Sequence, residues 1–256
     1  MGNINTNIWL DEVTYFTDDG FARVMNQVGL WGFIDTKGNI LGDKWFRDTW
    51  PFSDGFGCVR RFGDNKWGYI GKDGKILGDK WFLTANPFNN DFACVQRDSD
   101  RLWGFMGKDG KILGDKWFED ETCMGEKYAC VQRDSDSQWA YLGKDGKILG
   151  GMWFRRTYPF YNGYARVIDK NNKYAFIDEE GHIFKGMWYK DACDFIEGFF
   201  LVQKGDLWWY LDKDGNVLGK NGFLAADYFY RGFAHVLCED HIWRYVDKEG
   251  GLHEHR

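Results

Sequence analysis

The segment GKDGKILGDKWF stands twice in the chain, at Gly71–Phe82 and again at Gly107–Phe118. Its first eight residues return at Gly143–Gly150. The offset between copies is 36 residues, which lies in the range of tandem structural repeats. The last glycine of the GKDG turn has a counterpart in seven copies, spaced 36, 36, 36, 35, 34 and 35 residues apart: Gly38, Gly74, Gly110, Gly146, Gly181, Gly215 and Gly250.

Two aromatic positions recur with this glycine. The first, seven residues before it, holds Trp31, Trp67, Trp103, Trp139, Tyr174, Trp208 and Trp243. We assign to the second Trp9, Trp45, Trp81, Trp117, Trp153, Trp188 and Phe223. Together they hold 12 of the 14 tryptophans and leave only Trp50 and Trp209 outside the pattern. We interpret the repeated tryptophans as core, because burying one aromatic side chain removes about 150 to 250 Å² from water.

Each copy reads as short β-strands joined by glycine turns. A Trp-Phe strand is predicted first, then a strand such as Gly20–Val24, then Trp31–Asp35. In Asp35–Gly38 the polar residues suit a type I turn, and the glycine supplies the positive φ that closes the hairpin. A glycine beside the large tryptophan ring predicts a close approach of two sheets. Trp209 and Arg244 replace that glycine, so the last two copies must pack differently there.

The composition agrees with an all-β chain. Of 256 residues, 19% are aromatic, 33 are glycine and three are proline, a bias toward strands and turns. The net charge is −6, with lysine and arginine scattered among acids, so we expect no nucleic-acid partner. No apolar stretch approaches the roughly 20 residues that cross a bilayer, and the N-terminus lacks a signal-peptide pattern. We therefore expect no membrane partner and a cytoplasmic location.

We predict one domain over residues 1–256, built of seven tandem repeats of about 36 residues. The predicted units are 9–44, 45–80, 81–116, 117–152, 153–187, 188–222 and 223–252.

These motifs resemble those of the bacterial WG-repeat family, whose units show a G-x-A-x-V strand, a [KL]WG[FY]ID strand and a D-x-x-G-x-I turn. The resemblance covers nearly the whole chain and is strongest at Gly20–Leu41, Gly55–Leu77 and Asp91–Leu113. It weakens after Tyr174, where the Trp-Gly pair is lost. It implies a β-repeat fold and an interaction module attached to varied partners, and it brings no catalytic residues.

Short strands in tandem either close into a propeller or stack into an open solenoid. Polar capping units are missing, and the last copy stops just before its next Trp-Phe strand, which the N-terminal strand could replace. These features favour a closed seven-bladed β-propeller, with an open β-solenoid of stacked hairpins as the alternative. Against closure, 36 residues is short beside the roughly 40 to 45 of familiar propeller blades.

Candidate catalytic and metal-ligating residues are few. Cys58, Cys94 and Cys130 share one position in three consecutive copies. Because Arg23 and His235 occupy the same position elsewhere, we expect it to be half-exposed and the thiols to form a row on one face. No cysteine spacing is typical of a metal site, and we expect reduced thiols. His253 and His255 form a weak tail motif. We predict no metal, no cofactor and no enzyme activity.

The variable loops that follow each Trp-Phe segment are left for function. On them Trp50, with Arg47, and then Arg155, Arg156 and Tyr158 are candidate partner-binding residues, because tryptophan, tyrosine and arginine are enriched at binding hot spots. The alternative for Trp50 is that it staples its own loop to the sheet. We predict a non-catalytic module that binds or scaffolds a protein partner. A carbohydrate-binding lectin is the alternative and an enzyme is a weaker one. The sequence does not decide the oligomeric state.

Overall fold

The computed structural model describes residues 10–121 and 125–254. Over these residues the chain forms small antiparallel sheets, and each sheet is a meander whose strands pair in chain order. The chain divides into two compact units, one of residues 1–135 with 142–147 and one of residues 136–141 with 148–256. None of the helices found in the described residues is long and apolar enough to cross a membrane.

The first three sheets follow the first three predicted repeats. They comprise β1 (Leu10–Val13), β2 (Phe21–Asn26) and β3 (Trp31–Asp35); β4 (Asp48–Ser53), β5 (Phe56–Arg60) and β6 (Trp67–Gly71); and β7 (Thr84–Ala85), β8 (Phe92–Gln96) and β9 (Trp103–Gly107).

The next three sheets repeat the same order. They comprise β10 (Asp120–Glu121), β11 (Tyr128–Gln132) and β12 (Trp139–Gly143); β13 (Arg156–Thr157), β14 (Tyr164–Ile168) and β15 (Tyr174–Asp178); and β16 (Asp191–Ala192), β17 (Phe199–Lys204) and β18 (Leu207–Asp212).

The last sheet has four strands: β19 (Ala225–Ala226), β20 (Phe233–Leu237), β21 (Trp243–Asp247) and β22 (Leu252–Glu254). Single 3₁₀ turns connect several repeats, at Leu41–Asp43, Leu77–Asp79, Leu113–Asp115, Leu149–Gly151 and Phe184–Gly186. The edge of β21 that the sequence left open for the N-terminal strand is paired with β22, where Leu252 lies opposite Val246. Trp9 lies outside the described residues.

The Trp-Phe segment is not the strand that the sequence predicts. It meets the sheet through one bridge pair, in which Trp67 and Phe82 exchange backbone hydrogen bonds of 2.9 and 2.8 Å. The chain then leaves for the next repeat. Phe82 therefore completes the sheet of β4–β6, although the sequence-based boundaries assign it to the following unit.

The predicted hairpin turn is present. Gly38 has φ +89° and its N–H donates to the Asp35 carbonyl at 3.1 Å. The Asp35 carboxylate accepts hydrogen bonds from the N–H groups of Lys37 and Asn39, both at 2.9 Å, as aspartate commonly does in turns. The next such turn contacts the preceding repeat, because a side chain on Gly74 would lie 2.9 Å from the Cα of Gly42.

The glycine that follows Trp31, Trp67 or Trp103 makes room for the next second-position tryptophan along the chain. An added Cβ on Gly68 would lie 3.0 Å from Cε3 of Trp81. The Arg61 guanidinium lies over the Trp81 ring, 4.6 Å from its centroid, a cation–π distance. Gly104, Trp117 and Arg97 repeat this arrangement one copy later, again at 3.0 and 4.6 Å.

The sixth repeat inverts this pair and corrects one sequence assignment. Trp208 bridges Phe223 as Trp67 bridges Phe82, so the residue at the position of Trp81 is Gly222 and not Phe223. Trp209 occupies the space instead, and a Cβ on Gly222 would lie 2.7 Å from its indole. Compared with Gly68 and Trp81, the glycine and the tryptophan have exchanged positions across this contact. Trp81 packs on a buried cluster that contains Phe33 and Val59, and Trp209 packs on one that contains Phe176 and Phe200.

The prediction that the repeated tryptophans form the core is wrong in its strong form. The fully buried rings are phenylalanine and tyrosine, and those at the centre of the third strand of a repeat are Phe33, Tyr69, Phe105, Tyr141, Phe176 and Tyr210, each 1% exposed. The repeated tryptophans of the described residues are half-buried, and Trp188 and Trp243 are 39% and 41% exposed. A large indole with a polar N–H is seldom fully buried, and here it lies at the boundary of the sheet.

Candidate binding surface on the variable loops

Trp50 projects from a β-bulge in β4. The pairing with β5 shifts by one residue between Thr49 and Phe52, which face Val59 and Gly57. A bulge of this kind re-aims a side chain away from the sheet. Thr49 and Phe52 on either side are 2% and 4% exposed, whereas Trp50 is 50% exposed.

Phe52, and not Trp50, holds this loop to the core. Its ring stacks on Phe21 at 4.5 Å and meets Phe33 edge-on at 4.8 Å. Offset and edge-to-face pairs of this kind are stabilising. The loop is therefore anchored two residues beyond Trp50, which leaves half of the indole available to a ligand.

Arg47, the candidate nearest to Trp50 in the chain, is hydrogen-bonded to the adjacent hairpin. It is exposed, and Nη1 donates a hydrogen bond to Oδ1 of Asn65 in the turn between β5 and β6. Its backbone N–H donates to the carbonyl of Arg60 at 2.9 Å. The structure therefore presents an exposed guanidinium that is tethered by the adjacent hairpin.

The second group of candidates lies on the fifth repeat, in the other compact unit. Arg155 and Arg156 are exposed, and the guanidinium of Arg156 lies 5.2 Å from the Tyr158 ring centroid. Arg166 lies closer to the same ring, at 4.2 Å. The Tyr158 N–H donates to Oη of Tyr141 at 3.2 Å, and the Tyr141 hydroxyl donates in turn to the Tyr158 carbonyl. Tyr158 is thus a fixed ring flanked by two arginines.

Trp50 and Tyr158 occupy the same structural position, which the sequence reasoning missed. Each follows a residue that faces the valine of the middle strand, Val59 and Val167. The residues that hold this position in five repeats are Trp50, Asn86, Tyr158, Cys193 and Asp227. The proline that follows the first three could have shown the equivalence, because these are the only prolines of the chain, Pro51, Pro87 and Pro159.

A charged cleft of about 510 Å³ in the first unit was also not predicted. Lys108, Lys111 and Lys144 line it with Asp91, Asp109 and Asp115. Lys108 donates to Asp91 at 2.7 Å, and this hydrogen bond lowers the pKa of the Asp91 carboxyl. The lining carries three positive and three negative charges, so it does not concentrate one sign of charge.

A protein-family comparison identifies the repeat. The model described as "WG containing repeat" matches residues 31–65, 139–174 and 174–208. The chain carries WG repeats. Two of the matched segments begin with Trp139-Ala140 and Tyr174-Ala175, so WG repeats extend beyond the segments where the sequence resemblance is strongest. Alanine is the smallest side chain that can stand beside the second-position indole.

Other comparisons add little. No curated protein matches the chain. Structural similarity is found to BamB from Moraxella catarrhalis, at 10% identity and TM-score 0.34 over 94% of this chain and 83% of that one. It is also found to the C-terminal WD40 domain of Sif2, at 10% identity and TM-score 0.33 over 92% and 80%. The WD40 β-propeller domain of Doa1 gives 11%, 0.28, 94% and 96%. TM-scores of this size do not establish a common overall shape.

The cysteines at the centre of the middle strand correct another expectation. Cys58 and Cys94 are 1% and 4% exposed, not half-exposed, and Cys130 is intermediate. Sγ of Cys58 contacts the carbonyl of Ala85 in the next WG repeat at 3.6 Å, and burial raises the pKa of this thiol far above its ordinary range. Arg23 fits the same position because Nε donates to Oγ1 of Thr49 at 3.0 Å. The described cysteines form no disulfide with one another, and Cys123 lies outside the described residues.

Metal ligands do not converge within the described part of the WG repeats, where no group of three or more histidine, cysteine, aspartate or glutamate residues could hold an ion. Of the tail histidines, Nε2 of His253 lies 2.7 Å from Oδ2 of Asp247, and His255 lies outside the described residues.

Proposed function

We propose that this chain is a non-catalytic module that binds a protein partner through the loops that precede the middle strands of its WG repeats. The proposal rests on one observation, the unlike residues that a constant framework presents at one position. Trp50, Asn86, Tyr158, Cys193 and Asp227 stand at equivalent sites in their own sheets. Repeat proteins commonly bind through side chains that vary on a regular scaffold.

Trp50 is the residue that we expect to contribute most. Half of its indole is exposed, although the strand that carries it is anchored by the buried rings next to it. A rigid, half-exposed tryptophan loses little conformational entropy on binding and buries a large apolar area. Arg47, tethered to Asn65, adds a guanidinium of fixed position on the same strand connection.

The unlike residues also weigh against the lectin alternative, because equivalent glycan sites need the same polar and aromatic set in each repeat. Catalysis is left out of the proposal for a different reason. Burial between packed sheets raises the pKa values of Cys58, Tyr69 and Tyr210 strongly. All three have protein partners there: Sγ of Cys58 contacts the carbonyl of Ala85, and the hydroxyls of Tyr69 and Tyr210 donate to the carbonyls of Asn86 and Asp227.

The test places a photo-crosslinking amino acid at position 50 of the chain in its native host. We expect one protein to be crosslinked there and to be lost when Arg47→Ala is added. The matched control carries the same crosslinker at Val28, which is 76% exposed on the tip of the β2–β3 hairpin. Identical proteins at both positions, or none at position 50, would contradict the proposal.

A glycan array and a substrate screen with the purified chain test the alternatives. A glycan signal that Trp50→Ala abolishes would replace the protein partner with a carbohydrate, and substrate turnover would replace it with an enzyme. Closure of the seven repeats into a ring and a cytoplasmic location stay predictions from the sequence. A maximum dimension from X-ray scattering well above that of a compact ring would contradict closure, and cell fractionation checks the location.

A further inference from the structure

Several junctions between repeats are closed by a pair of aromatic rings. At these junctions the ring that begins the middle strand of one repeat packs on the phenylalanine two residues after the position of Trp50 in the next repeat. Three junctions show parallel stacked rings at 4.5, 4.8 and 4.8 Å: Phe21 with Phe52, Phe56 with Phe88, and Phe199 with Phe229. The second member of each pair is at most 4% exposed. At these three junctions the preceding repeat thus covers a defined apolar face of the following one.

The first repeat shows that face uncovered. Val13 faces Val24 as Thr49 faces Val59, so Phe16 stands at the position of Phe52. Phe16 is 50% exposed and Val13 is 43% exposed, whereas Phe52 and Thr49 are 4% and 2% exposed. Tyr15 between them is 96% exposed. We call Val13, Tyr15 and Phe16 the head face.

The last repeat shows the complementary surface. Phe233 begins β20 as Phe199 begins β17, but it is 46% exposed. The ring of His253 meets it edge-on at 5.7 Å and leaves the rest of the ring open. We call Phe233 and the preceding Arg231 the tail face.

The two faces place no like charges opposite each other at the position of Lys248. At the sixth junction, Glu197 accepts hydrogen bonds from the N–H groups of Arg231 and Gly232 at 2.7 and 3.0 Å and pairs with Lys248 at 3.0 Å. Arg231 of the tail face occupies, in the last repeat, the position that Glu197 occupies in the sixth repeat. A lysine at the head position of Lys248 would repel it, but the first repeat has Thr36 there. Asp19 and Lys72 show the ordinary acid–lysine pair at another junction, at 2.8 Å.

We propose that the tail face of one copy of this chain docks on the head face of a second copy, and so continues the repeat-to-repeat packing from chain to chain. Phe233 of one copy stacks on Phe16 of the next, while Arg231 meets Thr36 instead of a lysine. Such a contact joins two different surfaces, and unless the rotation closes, it adds copies without limit. The inference goes beyond partner binding at Trp50 and does not depend on it.

The test is sedimentation velocity of the purified chain over a wide range of concentration. We expect the wild-type mass average to rise with concentration. Phe16→Asp and Phe233→Asp should each stay monomeric, because each lacks one of the two faces. Val28→Asp and Ile242→Asp are matched controls at exposed hairpin tips, 76% and 52% exposed, and should assemble as the wild type does.

Mixing the two face variants makes the outcome decisive. Phe16→Asp keeps its tail face and Phe233→Asp keeps its head face, so together they should form a heterodimer and stop there. A wild-type chain that stays monomeric throughout would overturn the proposal, as ring closure within one chain predicts. So would assembly that persists in either variant, or a mixture that forms no heterodimer while both variants keep the wild-type circular dichroism spectrum.

Discussion

Exchanging Gly68→Trp together with Trp81→Gly would give the second repeat the arrangement that Trp209 and Gly222 have in the sixth. Gly68→Trp alone has no room, because an added Cβ already lies 3.0 Å from both Cε3 of Trp81 and the carbonyl oxygen of Lys80. We expect it to lower the free energy of unfolding by about 3 kcal/mol, the upper range for overpacking. Trp81→Gly alone removes the indole from the cluster of Phe33 and its neighbours and should cost about 3 kcal/mol as well.

Gly68→Trp lacks space that Trp81→Gly would provide, and Trp81→Gly leaves a cavity that the new tryptophan would fill. The double variant should therefore be less destabilised than the sum of the two single effects, roughly 6 kcal/mol. We expect a coupling energy of about 2 to 3 kcal/mol in its favour. Recovery stays incomplete, because Arg61 loses the ring that it covers at 4.6 Å. Urea unfolding followed by circular dichroism measures all three variants.

The matched control combines Gly68→Trp with Trp117→Gly, whose indole packs on Gly104 in the following repeat. These two changes share no contact and should add. If the Gly68–Trp81 exchange also costs the full sum of its parts, the glycine is not there to accommodate the indole, and the explanation of the Trp-Gly pair given above is wrong.

Three further predictions concern single side chains. Cys58 should resist alkylation at neutral pH in the folded chain and react on unfolding, because burial raises the pKa of its thiol; labelling of the native chain at this residue would contradict that. Arg61 holds the pKa of Asp64 at about 2, below its ordinary 3.8, so the stability that this pair adds is complete above the ordinary value and is lost as the pH falls toward 2. The difference in urea midpoint between wild type and Arg61→Ala should therefore shrink over that interval, and a constant difference would refute it. Trp50→Ala should lower the free energy of unfolding by less than about 1 kcal/mol, as exposed positions do, while abolishing recovery of the partner by affinity purification; a larger loss in thermal unfolding would mean that Trp50 is structural.

The strands and hairpin turns were predictable because their signals are local. Asp35–Gly38 shows this, since an aspartate that accepts backbone N–H groups and a glycine at positive φ define the turn within four residues. The pairing of Trp31–Asp35 with the strand before it also needs only neighbours in the chain. The prediction that Trp209 and Arg244 pack differently is confirmed for similar reasons: Trp209 covers Gly222, and Arg244 makes two hydrogen bonds to Asp240.

The candidate site was predictable only in part. Trp50 was found because it breaks the repeat pattern, and the structure shows it half-exposed. Its exposure, however, results from a one-residue register shift that no local sequence motif predicts. Arg47 and Tyr158 are held by Asn65 and Tyr141, residues 18 and 17 positions away along the chain. The sequence could not place these partners without the sheet register.

By itself, the sequence determined the period, the all-β class and the turns, because backbone pairing within one repeat follows from residues at most a few positions apart. The tertiary structure decided which rings are buried. Tyr69 lies inside and Trp67 at the boundary, Cys58 is closed off by Ala85 of the next repeat, and Gly222 gives its space to Trp209. Burial is a property of two surfaces, and the covering surface belongs to another repeat whose register the periodic pattern does not contain.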